Sequence, residues 1–162
     1  HTPGNAYGVT VADGYAYVAD GSSGLRVIDI GTPTSPVIVG SVDTPGNTYG
    51  VTVVDGYAYV ADGSSGLQVI DIGTPTLPVI VGSVYTPGYT DGVAVADGYA
   101  YVADGEGGLQ IISAAIPSGT TWLNSTSLQL EVPTHLYPGT YDVTIVNPDG
   151  TIYKAYNALT IR

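Results

Sequence analysis

The stretch Val9-Thr10-Val11-Ala12-Asp13-Gly14-Tyr15-Ala16-Tyr17-Val18-Ala19-Asp20-Gly21 decides the fold, because it comes back twice. Val51-Thr52-Val53-Val54-Asp55-Gly56-Tyr57 and Val93-Ala94-Val95-Ala96-Asp97-Gly98-Tyr99 open the second and third copies, at a period of 42 residues. Upstream, Thr2-Pro3-Gly4 returns as Thr44-Pro45-Gly46 and Thr86-Pro87-Gly88. Residues 1–42 and 43–84 differ at five positions: His1/Asp43, Ala6/Thr48, Ala12/Val54, Arg26/Gln68 and Ser35/Leu77. The third copy begins at Tyr85, keeps the pattern through Ile112 and then departs. Self-similarity at such a period signals a repeat architecture, in which each unit buries its apolar face on a neighbour.

Each copy reads as four short strands. Gly8–Ala12 is the first, and Asp13-Gly14 follows as a two-residue hairpin turn. That pair suits the positive φ that a type I′ turn demands at both positions. Tyr15–Ala19 is rich in β-preferring residues, and Asp20-Gly21-Ser22-Ser23-Gly24 is a looser loop. Residues 25–30 form the third strand, 31–36 a longer connection with two prolines, and Val37–Val42 the fourth strand. No segment places apolar residues at helical spacing, and the Gly and Pro punctuation would break a helix of useful length. The fold class is all-β.

A four-stranded meander at this period is what a β-propeller blade requires. Gly24-Leu25-Arg26-Val27-Ile28-Asp29-Ile30, Pro36-Val37-Ile38-Val39-Gly40 and Tyr15-Ala16-Tyr17-Val18-Ala19-Asp20 together resemble the LVIVD repeat family, over residues 1–116. The resemblance implies propeller blades, here 1–42, 43–84 and 85–116, in a secreted or cell-surface protein, and it carries over no catalytic residue. Closed propellers take about four to eight blades. This chain supplies two full blades and three strands of a third. The fourth strand should follow Ile112, where Ser113-Ala114-Ala115-Ile116 stands instead. Completion is therefore expected from a longer chain or from other chains.

From Pro117 the period is gone, and residues 117–162 read as a separate module. Residues 121–124, 128–132, 140–146 and 151–161 are expected strands, with Asn147-Pro148-Asp149-Gly150 as a turn. Leu128-Gln129-Leu130-Glu131-Val132-Pro133, the run from Pro138-Gly139-Thr140-Tyr141 to Asn147-Pro148-Asp149-Gly150, and the ending Ala158-Leu159-Thr160-Ile161 are similar to the IPT/TIG immunoglobulin-like fold. Over residues 119–162 the likeness is to the second half of that domain. It implies a partial β-sandwich, four strands where about seven are usual.

Composition narrows the function. Charged residues are 10% of the chain, and Arg26, Lys154 and Arg162 face fourteen acids for a net charge of −11. Phosphate-backbone binding needs clustered Lys and Arg, so nucleic acid is excluded as a partner and an anionic membrane surface is disfavoured. No stretch reaches the ~18 apolar residues of a spanning helix, so membrane insertion is not expected. Cysteine is absent, which removes disulfides, thiolate metal sites and cysteine nucleophiles. The first residue is His1 rather than Met, which is expected of a chain processed by signal-peptide removal or of a fragment.

No catalytic, cofactor-binding or metal constellation emerges from the residues. His1 and His135 are the only histidines, and neither stands in a nucleophile motif or at copper-ligand spacing. Asp13, Asp55, Asp97, Asp20, Asp62 and Asp104 all precede glycine. Repeated carboxylates would suit Ca²⁺, but no Asp-x-Asp-x-Asp loop or bidentate Glu is present, and Asp before Gly is the ordinary turn former. Turn formation is the expectation. Asp29 and Asp71 are expected to accept turn hydrogen bonds or to face solvent. Glu106 and Glu131 stand in unlike contexts, so no glycosidase pair is formed. Tyr15, Tyr17, Tyr57, Tyr59, Tyr99 and Tyr101 recur at matched positions, which favours packing over a sugar-stacking surface. Asn124-Ser125-Thr126 is the one N-glycosylation sequon, and Thr32, Thr34, Thr74 and Thr76 beside prolines are weaker O-glycosylation candidates.

Two functions fit these observations. One is a non-enzymatic extracellular structural protein, the repeating subunit of a fibre whose copies self-associate head to tail as a homo-oligomer or helical filament and complete each other's strands. The other is a secreted carbohydrate- or protein-binding adhesion module, a fragment of a longer propeller protein.

Overall fold

Three Asp-Gly hairpins set the pattern. In the computed structural model, which describes residues 1–114 and the backbone of 120–124, 127–130, 139–146 and 152–161, Asp13, Asp55 and Asp97 take φ of 50°, 50° and 51°, each followed by a positive-φ glycine. Two consecutive left-handed residues give the turn the twist of the strands it joins. This is the turn expected from the sequence.

Around these hairpins the first unit, His1–Ala114, forms three antiparallel meanders. Sheet I runs β1 (Gly8–Ala12), β2 (Tyr15–Ala19), β3 (Leu25–Asp29), β4 (Val37–Val42). Sheet II repeats it with β5 (Gly50–Val54), β6 (Tyr57–Ala61), β7 (Leu67–Asp71) and β8 (Val79–Val84). Sheet III has β9 (Gly92–Ala96), β10 (Tyr99–Ala103) and β11 (Leu109–Ser113). A single 3-10 turn, Gly105–Gly107, precedes β11. Among the described residues no fourth strand pairs with β11. The pairing of β3 with β4 slips between Val27 and Ile28, and that of β7 with β8 between Val69 and Ile70.

The sheets stack with their first strands adjacent, β1 beside β5 and β5 beside β9. Because side chains alternate across a strand, each sheet has two faces. Tyr17, Ala19, Leu25 and Val27 of sheet I bury themselves against Val51, Ala58, Val60 and Ile70 of sheet II. This is the main core. Within the described residues the stack does not close into a ring.

The second unit, Ala115–Arg162, contains two hairpins among its described residues. One pairs β12 (Thr120–Asn124) with β13 (Ser127–Leu130), the other β14 (Gly139–Val146) with β15 (Ile152–Ile161). The end of the expected strand 128–132, together with Glu131 and His135, lies outside the described residues.

Candidate functional site

The features that set this chain apart from a plain stack lie where sheet meets sheet. At each joint, threonine hydroxyls reach across. Thr10 Oγ1 of sheet I donates to Val51 O of sheet II at 2.6 Å, and Thr52 Oγ1 of sheet II donates to Val93 O of sheet III at 2.6 Å. In the opposite direction Thr48 Oγ1 donates to Gly21 O and Gly24 O of the preceding loop at 3.2 and 3.0 Å. Thr90 repeats this with Gly63 O and Gly66 O at 3.0 and 2.9 Å. Thr48 and Thr90 are fully buried, so each hydroxyl satisfies itself only by crossing the joint. Close backbone approach accompanies these bonds. A Cβ on Gly8 would meet Tyr49 O at 2.7 Å, and one on Gly40 would collide with Pro75 O of the next sheet's proline loop.

The outermost faces present the same positions without a partner sheet. On sheet I, Val9 and Val11 are 64% and 62% exposed, whereas Val51, which follows Val9 by one period, is buried. On sheet III, Leu109 and Ile111 are 63% and 59% exposed, where Leu25 and Leu67 are buried to 0% and 1%. The hydroxyls are missing at both ends. Ala6 stands at the position of Thr48 and Thr90, and Ala94 at that of Thr10 and Thr52.

A buried carboxylate ties down the loop of each sheet. Asp62 accepts Gly46 N at 3.0 Å and Thr44 Oγ1 at 2.6 Å, and Asp104 accepts Gly88 N at 2.8 Å and Thr86 Oγ1 at 2.6 Å. Asp20 accepts Gly4 N at 2.9 Å. Asp20, Asp62 and Asp104 are all fully buried. Burial raises the Asp62 carboxyl above the ordinary aspartate value, while the bonds from Thr44 and Gly46 oppose that rise. Each of these Asp residues closes a turn through its backbone, its carbonyl accepting from Ser23 N, Ser65 N or Gly107 N, while its side chain reaches back 16 or 18 residues to the Thr-Pro-Gly segment rather than bonding the turn itself. The constant spacing of Thr-Pro-Gly and Asp-Gly in every copy was the available signal.

Sheet I departs from this scheme. Asp20 Oδ1 has no hydrogen-bond partner, and neither has Arg26 Nε. Arg26 replaces the glutamine of the other copies, whose amides donate to Ser65 O and Gly107 O. Its guanidinium lies 3.7 Å from Asp20 Oδ2 and 3.6 Å from Asp43 Oδ1.

One aromatic row was missed in the sequence. Tyr7 and Tyr49 rings lie 4.8 Å apart, and Tyr49 and Tyr89 rings 5.4 Å apart, edge to face. The Tyr49 and Tyr89 hydroxyls share a hydrogen bond of 2.9 Å. That bond, with some burial, pushes the Tyr49 phenol up to about 12. Period alone hides the row, because Tyr89 falls two residues before the position that continues Tyr7 and Tyr49.

The remaining sequence candidates fall in several places. Thr32, Thr34, Thr74 and Thr76 are exposed in the proline loops. Asn124 ends β12, opposite Ser127, and Ser125 and Thr126 of its sequon lie outside the described residues. Asp29 and Asp71 accept Gly31 N and Gly73 N, both at 2.8 Å. Of the six repeated tyrosines, Tyr17 and Tyr59 are buried and the other four half-buried. Among the described residues no three His, Cys, Asp or Glu side chains are grouped to hold a metal ion.

Comparison with known proteins agrees with the repeat. No curated protein matches the chain. The model of the LVIVD repeat matches three times in succession, at residues 3–44, 45–86 and 87–118, so its units follow the three sheets and their Thr-Pro-Gly leaders. With the repeat covering more than half of its length, the chain belongs to the LVIVD repeat family.

Proposed function

We propose that this protein is a non-enzymatic structural protein outside the cell, the repeating subunit of a fibre whose copies join head to tail and complete each other's sheets. On this reading the three sheets are propeller blades, and residues 119–162 are the second half of an IPT/TIG immunoglobulin-like fold. The observation that carries it is the pair of open apolar faces, Val9 and Val11 at one end and Leu109 and Ile111 at the other. Leaving such area wet forgoes roughly 25 cal/mol per Å². Unlike surfaces at opposite ends meet heterologously, and contacts of that kind run on as open filaments unless a rotation closes them. Among the described residues no fourth strand pairs with β11, which adds a place for a donated strand.

Electron microscopy of native material tests the reading: filaments are expected, and dispersed particles would contradict it. Mass spectrometry of the same material tests the location through sugar on Asn124 or on the exposed Thr32, Thr34, Thr74 and Thr76. A bare polypeptide mass would remove that support. The adhesion reading draws on the row of Tyr7, Tyr49 and Tyr89, since Tyr7 and Tyr89 are exposed beside the exposed Asn5 and Asn47. Glycan binding by dispersed particles, lost on Tyr7→Ala, would favour it.

A further inference from the structure

Two of the five differences between the first two copies bear on the joints. Ala6 and Arg26 fall on or beside the outer face of sheet I, in place of Thr48 and Gln68, which stand at the joint of sheets I and II. The third copy differs from the second at more positions, and two of these changes bear on a joint: Ala94 replaces Thr52, and Glu106 replaces Ser64 in the loop before the third strand. Arg26 is the only Lys or Arg before Lys154, and Glu106 the only Glu before Glu131. Inside the chain, Thr48 bonds the loop carbonyls of Gly21 and Gly24, which puts the loop of one sheet at the Ala61–Gln68 end of the next. Arg26 of one copy and Glu106 of another would meet at that same end of a joint.

Resting on the fibre reading, we infer that copies meet through sheet III of one and sheet I of the next, in the arrangement of the internal joints. The internal joint is continued here in an altered form. Its apolar half is kept, with Val9 and Val11 offered to Leu109 and Ile111. Both sets of threonine hydroxyls are deleted at Ala6 and Ala94, and a charge pair, Arg26 with Glu106, stands in their place. The occupant is therefore a second copy of this chain. The joint between copies is weaker than the joints within one, so the fibre parts there rather than through a subunit.

The critical concentration for assembly of the full chain, read by light scattering, tests this with variants at exposed positions. Val9→Asp and Ile111→Asp are each expected to raise it more than tenfold while circular dichroism stays unchanged. Mixed together they are expected to form dimers and stop, because each supplies the face the other has lost. Ala6→Thr with Ala94→Thr restores the hydroxyls and is expected to lower the critical concentration on the order of tenfold. Arg26→Gln copies sheets II and III, so it keeps the fold, and it is expected to raise the critical concentration several-fold at low salt, an increase that shrinks as added salt screens the charges. If the wild-type chain assembles and both Asp variants assemble equally well, the joint lies elsewhere and this inference fails while the fibre stands. If only Val9→Asp blocks assembly, the sheet I face docks on something other than sheet III, and the inference again fails. A wild-type chain that never assembles overturns the fibre reading itself.

Discussion

Gly50 and Gly92 hold the same place in successive repeats, yet only one of them is confined. A Cβ on Gly50 would meet Gly92 Cα at 3.0 Å and Asp91 O at 3.1 Å, whereas one on Gly92 meets only Ala103 Cβ, at 4.0 Å. Pairing among the first three strands is alike in all three sheets. What differs is the presence of a following sheet, so the joint, not the hairpin, dictates which residues are constrained.

The largest expected difference lies between two matched leucines. Leu67→Ala removes a side chain that is fully enclosed and is expected to cost about 2–5 kcal/mol. Leu109→Ala removes an exposed one and is expected to stay within about 0.5 kcal/mol. Urea unfolding of the dispersed chain measures both, and equal losses would mean that the face of Leu109 is covered within the subunit. Next in size is the glycine pair. Gly50→Ala brings a Cβ to 3.0 Å from Gly92 Cα of sheet III, at roughly 1–3 kcal/mol, whereas among the described residues Gly92→Ala meets only Ala103 Cβ, at 4.0 Å. Thermal melts that failed to separate these two would mean that the sheets do not approach so closely.

Smaller effects sharpen the joint itself. Thr90→Ala leaves two loop carbonyls without their hydroxyl donor, an expected loss of about 1–2 kcal/mol, while Ala94→Thr in the dispersed chain is expected to change nothing. The smallest effect concerns pH. The folded-state pKa of Asp62 is raised, chiefly by burial, so the folded chain holds this proton more tightly than the unfolded chain, whose aspartates titrate near ~4. Stability from this group is complete below the unfolded value and is lost as pH rises through the folded one. The melting temperature is therefore expected to rise on acidification from neutrality toward that window, and Asp62→Asn should lack this increment. A wild-type melting temperature that falls over the same range would contradict the burial argument.

The strands and hairpins were legible because their signals are local. Alternation places Tyr17 and Val27 on one face, and Asp13-Gly14 names its own turn. The carboxylate loops were not legible, since Asp62 and its donors Thr44 and Gly46 are far apart in the chain and each has an ordinary turn role by itself. The tyrosine row escaped for a related reason: Tyr89 is out of register with Tyr49 in sequence, although the fold brings the rings together. Ala6 and Ala94 take on meaning only in the fold, where Thr48 and Thr10 bond across the joints. Local patterns identify a repeat, while the chemistry between repeats depends on contacts that no single repeat contains.

If the two exposed apolar faces are matching halves of a joint, the mass of the dispersed chain depends on its concentration. Multi-angle light scattering is expected to give masses that climb from 16.5 kDa in whole multiples as concentration rises. A mass that stays at 16.5 kDa up to high micromolar concentration would contradict such a joint.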